Sequence, residues 1–158
     1  VVKINIVTML VCAFALACIA PHPVRAASDL RLAPDLSFTD DSSSNFPLAG
    51  NSIGDGAIAS DRATIVFFGT AHCWNTNREA ERLVALYPKY RDKIDFVIVD
   101  LDHPSLSQAP LIARYYRGSI PTITIIDRKG EVIYNRAGET AATRGDTSKL
   151  EALLNSAK

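Results

Sequence analysis

Cys73 follows the apolar run Thr64–Phe68 and the short stretch Gly69-Thr70-Ala71-His72, and it is followed by Trp74, Asn75 and Thr76. A cysteine placed where a strand gives way to a helix start meets unpaired backbone N–H groups and the positive end of the helix dipole, which favour the thiolate. Thiolate is the species that attacks disulfides. Thr76 stands one turn further on, within reach for its hydroxyl to donate to the sulfur, yet it cannot attack a mixed disulfide as a second thiol would. His72 could favour the thiolate as imidazolium or move a proton as imidazole. An exposed Trp74 ring would offer apolar surface to a peptide. Each feature has a plainer reading: a buried cysteine acting as a small hydrophobe, a first-turn threonine, a solvated loop histidine and an indole folded onto the domain.

The surrounding pattern supplies elements that could hold these residues. Thr64–Phe68 has the composition of a buried strand. Ala80, Leu83, Val84 and Tyr87 recur at helical spacing, and Pro88 is expected to end or kink that helix. Asp95–Leu101 is a second central strand, and Leu111, Ile112 and Tyr115 mark a short helix after Pro110. Thr122–Ile126 and Glu131–Tyr134 flank Arg128-Lys129-Gly130 as a hairpin, with glycine where a positive φ is wanted. Leu150, Leu153, Leu154 and Ala157 form the stripe of a closing helix, giving the order βαβαββα. Residues 27–60 lack sustained periodicity, and Asp40–Asn45 reads as a turn or flexible loop.

Two segments, Thr64–Cys73 and Gly118-Ser119-Ile120-Pro121-Thr122-Ile123, together resemble the thioredoxin family, in which a Cys-x-x-Cys motif opens a helix and faces a cis-proline loop. The resemblance implies an α/β thioredoxin fold over residues 61–158, a central mixed sheet flanked by helices, preceded by an N-terminal extension over 27–60. Within the extension, Ala33–Asp40 is similar to the N-terminal hairpin segment of exported thioredoxin-like reductases and of peroxiredoxins; a disordered leader is the alternative. The resemblance also implies a cis bond before Pro121 that sets the backbone of Ile120 beside the thiol, where an extended substrate could pair as a strand. This chain departs from the family pattern at several places. Thr76 stands for the second cysteine, His72 for the preceding tryptophan, Phe67 for the buried acid, and Ile98 for the lysine that accompanies it.

The first residues carry one positive charge, an apolar stretch over Ile4–Ala20 and a small-x-small pattern ending at Ala26, the layout of a secretory signal peptide over 1–26. A retained membrane anchor is the rival reading. Cleavage after Ala26 would leave 132 of the 158 residues, enough for one domain with its own core. The remaining 15 basic and 17 acidic residues nearly balance, which argues against nucleic acid as a partner. Cys12 and Cys18 would leave with the signal, making Cys73 the lone thiol of an exported protein and excluding an internal disulfide. No metal-ligand cluster, phosphate loop or repeat is visible, so neither metal nor cofactor is expected.

These readings converge on an exported monomer of the periplasm or extracellular space that exchanges thiols and disulfides through mixed disulfides at Cys73. Thr76 assists; His72, Trp74, Ile120 and Pro121 contact the substrate. Its partners would be protein or small-molecule thiols and disulfides, with a membrane involved only if the N-terminal segment is retained. The alternatives are a non-catalytic module that binds peptides at the Trp74 and Pro121 surface and, on the strength of Thr70-x-x-Cys73, a one-cysteine peroxidase.

Overall fold

The computed structural model describes residues 30–50, 58, 61–137 and 145–158. The expected signal segment 1–26 lies outside the described residues. Among those described, no helix is long and apolar enough to cross a membrane.

A four-stranded mixed sheet carries the domain. Strand β3 (Ala63–Gly69) pairs in parallel with β4 (Ile94–Asp100) and antiparallel with β5 (Thr122–Ile126), and β6 (Val132–Ala137) completes the order β4-β3-β5-β6. All seven residues of β3 are buried, because β3 has a strand on either side and helices over both faces. Such a strand shows no polar alternation, which is why its sequence reads as a continuous apolar run. Helices α1 (Trp74–Tyr90) and α3 (Ser148–Ala157) supply Ala80, Leu83, Leu150 and Leu154 to one face, against Ile65, Phe67, Ile98, Ile123 and Ile125. Helix α2 (Ala109–Tyr115) lays Leu111 and Tyr115 on the other face, over Val66, Phe68, Val97 and Val99. Full burial of one side chain of this size contributes about 2 kcal/mol, and the continuity of the two clusters holds the sheet between its helices.

Pro88 does not end α1. The helix runs through it to Tyr90, and the Arg91 N–H still reaches Tyr87 O at 2.9 Å. Pro88 lies within the last turn, so the one intrahelical bond that its missing N–H removes leaves the turns before it intact. Beyond it Tyr90 is fully buried, with its hydroxyl donating to Asn155 Oδ1 at 2.8 Å. The β5–β6 turn uses Gly130 at φ 81°, and Asp127 Oδ1 accepts the N–H groups of both Lys129 and Glu131 at 2.9 Å. The strand after this turn begins at Val132 and runs to Ala137, three residues past the stretch expected from composition.

The described part of the extension forms a second, minimal sheet. Strand β1 (Arg31–Leu32) pairs antiparallel with β2 (Leu48–Ala49). Leu30 and Leu48 join the core on the α1 face, so residues 30–50 are packed against the domain and do not form a disordered leader.

Candidate active site

The strand register brings the two expected site segments to one end of the sheet. Phe68 is the cross-strand partner of Thr122, so the loop leaving β3 towards Cys73 and the Ser119-Ile120-Pro121 loop entering β5 emerge side by side. The Ile120–Pro121 peptide is cis, Pro121 is buried and Ile120 half-buried. Leu101 N–H donates to Gly69 O at 2.9 Å, and Ala71 N–H donates to Asp102 Oδ2 at 2.9 Å, tying the end of β4 to the same loop. His72 is exposed and adopts φ 50°, a left-handed conformation uncommon for a residue with a side chain. That residue redirects the chain between β3 and α1.

Cys73 is the N-cap of α1, with extended backbone (φ −140°, ψ 105°) and a half-buried, free thiol. Serine or aspartate at this position would satisfy a first-turn N–H with its own side chain; Cys73 makes no such bond. Asp41 instead comes from 33 residues upstream and accepts the Trp74 N–H on Oδ1 at 3.0 Å. The His72 N–H donates to Ser43 O at 3.2 Å, so residues 41–43 line the outside of the cysteine turn.

Four consecutive polar residues, Thr76, Asn77, Arg78 and Glu79, are all buried. Successive helix residues point about 100° apart, so this turn is enclosed on every side, by the sheet within and by residues 30–50 without. Asn77 Nδ2 donates to Ser37 O at 2.6 Å and to Ser43 Oγ at 2.9 Å, while Arg78 Nε donates to Phe38 O at 2.8 Å. Arg78 also lays its guanidinium over the Trp74 ring, 3.9 Å from the centroid. Trp74 is therefore half-buried under a cation, between the exposed ring and the fully folded ring that its sequence position allows.

The expected hydrogen bond from Thr76 to Cys73 is not made. Thr76 is fully buried and its Oγ1 has no partner among the described residues. Close packing sets its rotamer, with the γ-methyl so near Gly69 that a Cβ there would lie 2.5 Å from it. Phe67 and Ile98, which stand where the family resemblance places an acid and a lysine, are both fully buried in the apolar core.

Sequence reasoning missed the residues that enclose the site: Asp41, Ser43, Asn77 and Arg78 carry no periodicity that would link them. It also missed Glu79 and Arg82, an ion pair at 2.7 Å whose side chains are only 7% and 11% exposed. Their i, i+3 spacing on one helix was the available signal. In the loop beside the site, hydrogen bonds from the Ser42 side chain first, then from Ser37, hold the Asp40 carboxyl below the usual carboxylate range. Among the described residues, no group of His, Cys, Asp and Glu is arranged to hold a metal ion.

No protein-family model matches this sequence, and no curated protein matches it significantly. Solved structures do resemble it. A thioredoxin-fold protein from Helicobacter pylori is 19% identical with a TM-score of 0.50, the match covering 73% of this chain and 75% of that one. Thioredoxin-2, a component of the malaria parasite protein secretion machinery, is also 19% identical with a TM-score of 0.50, covering 66% of this chain and 91% of that one. At this identity the likeness concerns architecture alone, and it agrees with the order, direction and layering of the elements described above: the chain has the thioredoxin fold.

Proposed function

We propose that this protein carries out monothiol thiol–disulfide exchange at Cys73, as an exported protein acting on thiols and disulfides outside the cytoplasm. The observation that carries the reading is the placement of a free, half-buried thiol at the N-cap of α1, at the sheet end where the Ile120–Pro121 loop enters β5. Cys73 thiolate attacks one sulfur of a disulfide R–S–S–R, forming Cys73–S–S–R and expelling RS⁻, which takes up a proton from water. A second thiolate, R′S⁻, then attacks the mixed disulfide, forms R–S–S–R′ and restores the Cys73 thiolate. The sequence of two exchanges is electron-neutral. Thr76 matters here by what it lacks, since no sulfur one turn along α1 can carry out the second attack.

The test is mass spectrometry of the protein after incubation with oxidised glutathione, followed by addition of reduced thiol. A single adduct on Cys73 that disappears with added thiol is expected. An unmodified Cys73 would overturn the exchange reading and favour the competing one, a peptide-binding module. That module would use Trp74 and Pro121 and would keep its affinity in Cys73→Ala. The apolar Phe67 and Ile98 favour this second reading, because neither position carries a charge to assist proton movement.

A further inference from the structure

We propose that Cys73 prefers cationic disulfides to anionic ones, and that Asp41 of the N-terminal extension sets this preference. The proposal rests on the exchange reading above and narrows its partners to disulfides that carry an ammonium or guanidinium group beside the S–S bond. Asp41 Oδ1 accepts the Trp74 N–H at 3.0 Å. Four covalent bonds separate that nitrogen from the Cys73 sulfur, a reach of about 5 Å, so the carboxylate oxygen lies within about 8 Å of the sulfur. Asp41 is exposed, and its charge acts on whatever approaches the thiol through solvent.

A second carboxylate holds the same loop from the end of β4. Asp102, also exposed, accepts the Ala71 N–H on Oδ2 at 2.9 Å, two residues ahead of the thiol. Asp40 adds an exposed carboxylate next to Asp41. Asp100 is engaged with the Asp102 N–H at 3.0 Å and with His103 Nδ1 at 3.3 Å. Two arginines oppose these charges. Arg78 is 7% exposed, with Nε donating to Phe38 O and the guanidinium over the Trp74 ring. It offsets part of the field from a buried position, and a substrate meets the carboxylates first. Arg117 is exposed ahead of the Ile120–Pro121 loop, and among the described residues no hydrogen bond or ion pair ties it to the Cys73 loop. Asp41 and Asp102 are the charges whose positions are fixed against that loop.

The chemistry of exchange leaves the partner's own charges untouched. Cys73 thiolate forms a bond to one sulfur, the S–S bond breaks, and the electron pair leaves on the other sulfur, which takes up a proton from water. A flanking ammonium is therefore attracted to Asp41 on encounter, during attack and in the mixed disulfide, while a flanking carboxylate is repelled throughout. Asp41→Asn keeps an oxygen for the Trp74 N–H and removes the charge, so it separates the field from the bond.

The test compares the rates at which the intact protein reacts with cystamine, which is cationic, and with 3,3′-dithiodipropionate, which is anionic. Measured at low salt and about pH 8, where an ordinary imidazole is neutral, the ratio of the two rates should fall roughly fivefold in Asp41→Asn. Comparing this ratio between proteins cancels the reagents' own reactivities and the ionised fraction of the thiol. The ratio should fall further in Asp41→Asn/Asp102→Asn, and added salt should shrink the difference. Asp92, exposed beyond the C-terminus of α1 and about 25 Å along that helix from Cys73, serves as control: Asp92→Asn should leave the ratio unchanged. An equal ratio in wild type and Asp41→Asn, or an equal fall in Asp92→Asn, would overturn the proposal. If neither disulfide reacts, the exchange reading falls, and alkylation by iodoacetate relative to iodoacetamide decides the charge preference alone. A rise of that ratio in Asp41→Asn would uphold it; no rise, or no alkylation at all, would overturn it.

Discussion

Phe67 on β3 and Ile98 on β4 are directly registered partners across the parallel pair, and neither has any exposed surface. The two positions that the family resemblance assigns to opposite charges are thus neighbours, and both are apolar in this chain. A charge introduced at one of them has nothing to pair with. Phe67→Asp should cost more than about 3 kcal/mol, the range found for an uncompensated buried charge. Adding Ile98→Lys should recover part of that loss. Denaturant unfolding of the two variants measures the coupling, and strictly additive losses would show that the two sites do not meet.

Thr76 offers a test in the opposite direction. Its hydroxyl is buried without a partner, and an unsatisfied buried group of this kind costs about 1–3 kcal/mol. Thr76→Val keeps the shape and removes that group, so it should stabilise the protein by roughly 1 kcal/mol while leaving the rate of Cys73 alkylation unchanged. A slower alkylation would show that the hydroxyl turns towards the sulfur in solution.

Thr76→Cys would place a second thiol one turn from the first. Mixed disulfides trapped on Cys73 should then be released without added thiol, seen as loss of the covalent adduct on gels. With Phe67 in place of an acid the release should be slower than the attack that formed the adduct.

Asn77 joins α1 to the extension through Ser37 and Ser43. Asn77→Ala removes the donor to Ser37 O and leaves Ser43 Oγ with the Ser37 N–H at 2.7 Å, and it should cost about 1–3 kcal/mol. The loss should be local: limited proteolysis should cut between residues 33 and 45 well before the sheet is attacked.

Acidification should loosen the same loop. The hydrogen bonds from Ser42 and Ser37 depress the folded-state value of Asp40, so their stabilising effect is complete above the unfolded carboxylate value of about 3.9 and is lost as pH falls through the lower folded value. Asp40→Asn should flatten the acid dependence of amide exchange in residues 37–43.

The sheet was legible in the sequence because its order comes from local signals. The apolar runs of β3 and β4, the stripe of Ala80, Leu83 and Tyr87, and the Arg128-Lys129-Gly130 turn each announce one element. The enclosure of Cys73 was not legible. It depends on side chains that meet backbone groups 33 to 40 residues away, and polar segments such as Asp40–Asn45 have the composition of a free loop whether docked or not. Glu79 and Arg82 were hidden for a related reason: charged residues on an amphipathic helix ordinarily face water. Here the two line a groove together with Tyr134, Leu150 and Leu153 and pair with each other.

The bonds from Asn77 and Arg78 to residues 37 and 38 each span 40 positions, and this has a kinetic meaning. Closing a loop of that length costs about 3 kcal/mol of chain entropy, which hydrogen bonds at roughly 1 kcal/mol each and the burial of Leu30 and Leu48 offset only once the sheet and α1 are in place to receive them. By contrast, α1 and the β5–β6 hairpin form from near neighbours. The sheet and its helices would assemble first, and residues 30–50 would settle on them last and lift away first. Access to the thiol's surroundings is then governed by a local opening reaction, far more frequent than unfolding, and a bulky disulfide could reach the first turn of α1 while the rest of the molecule stays folded.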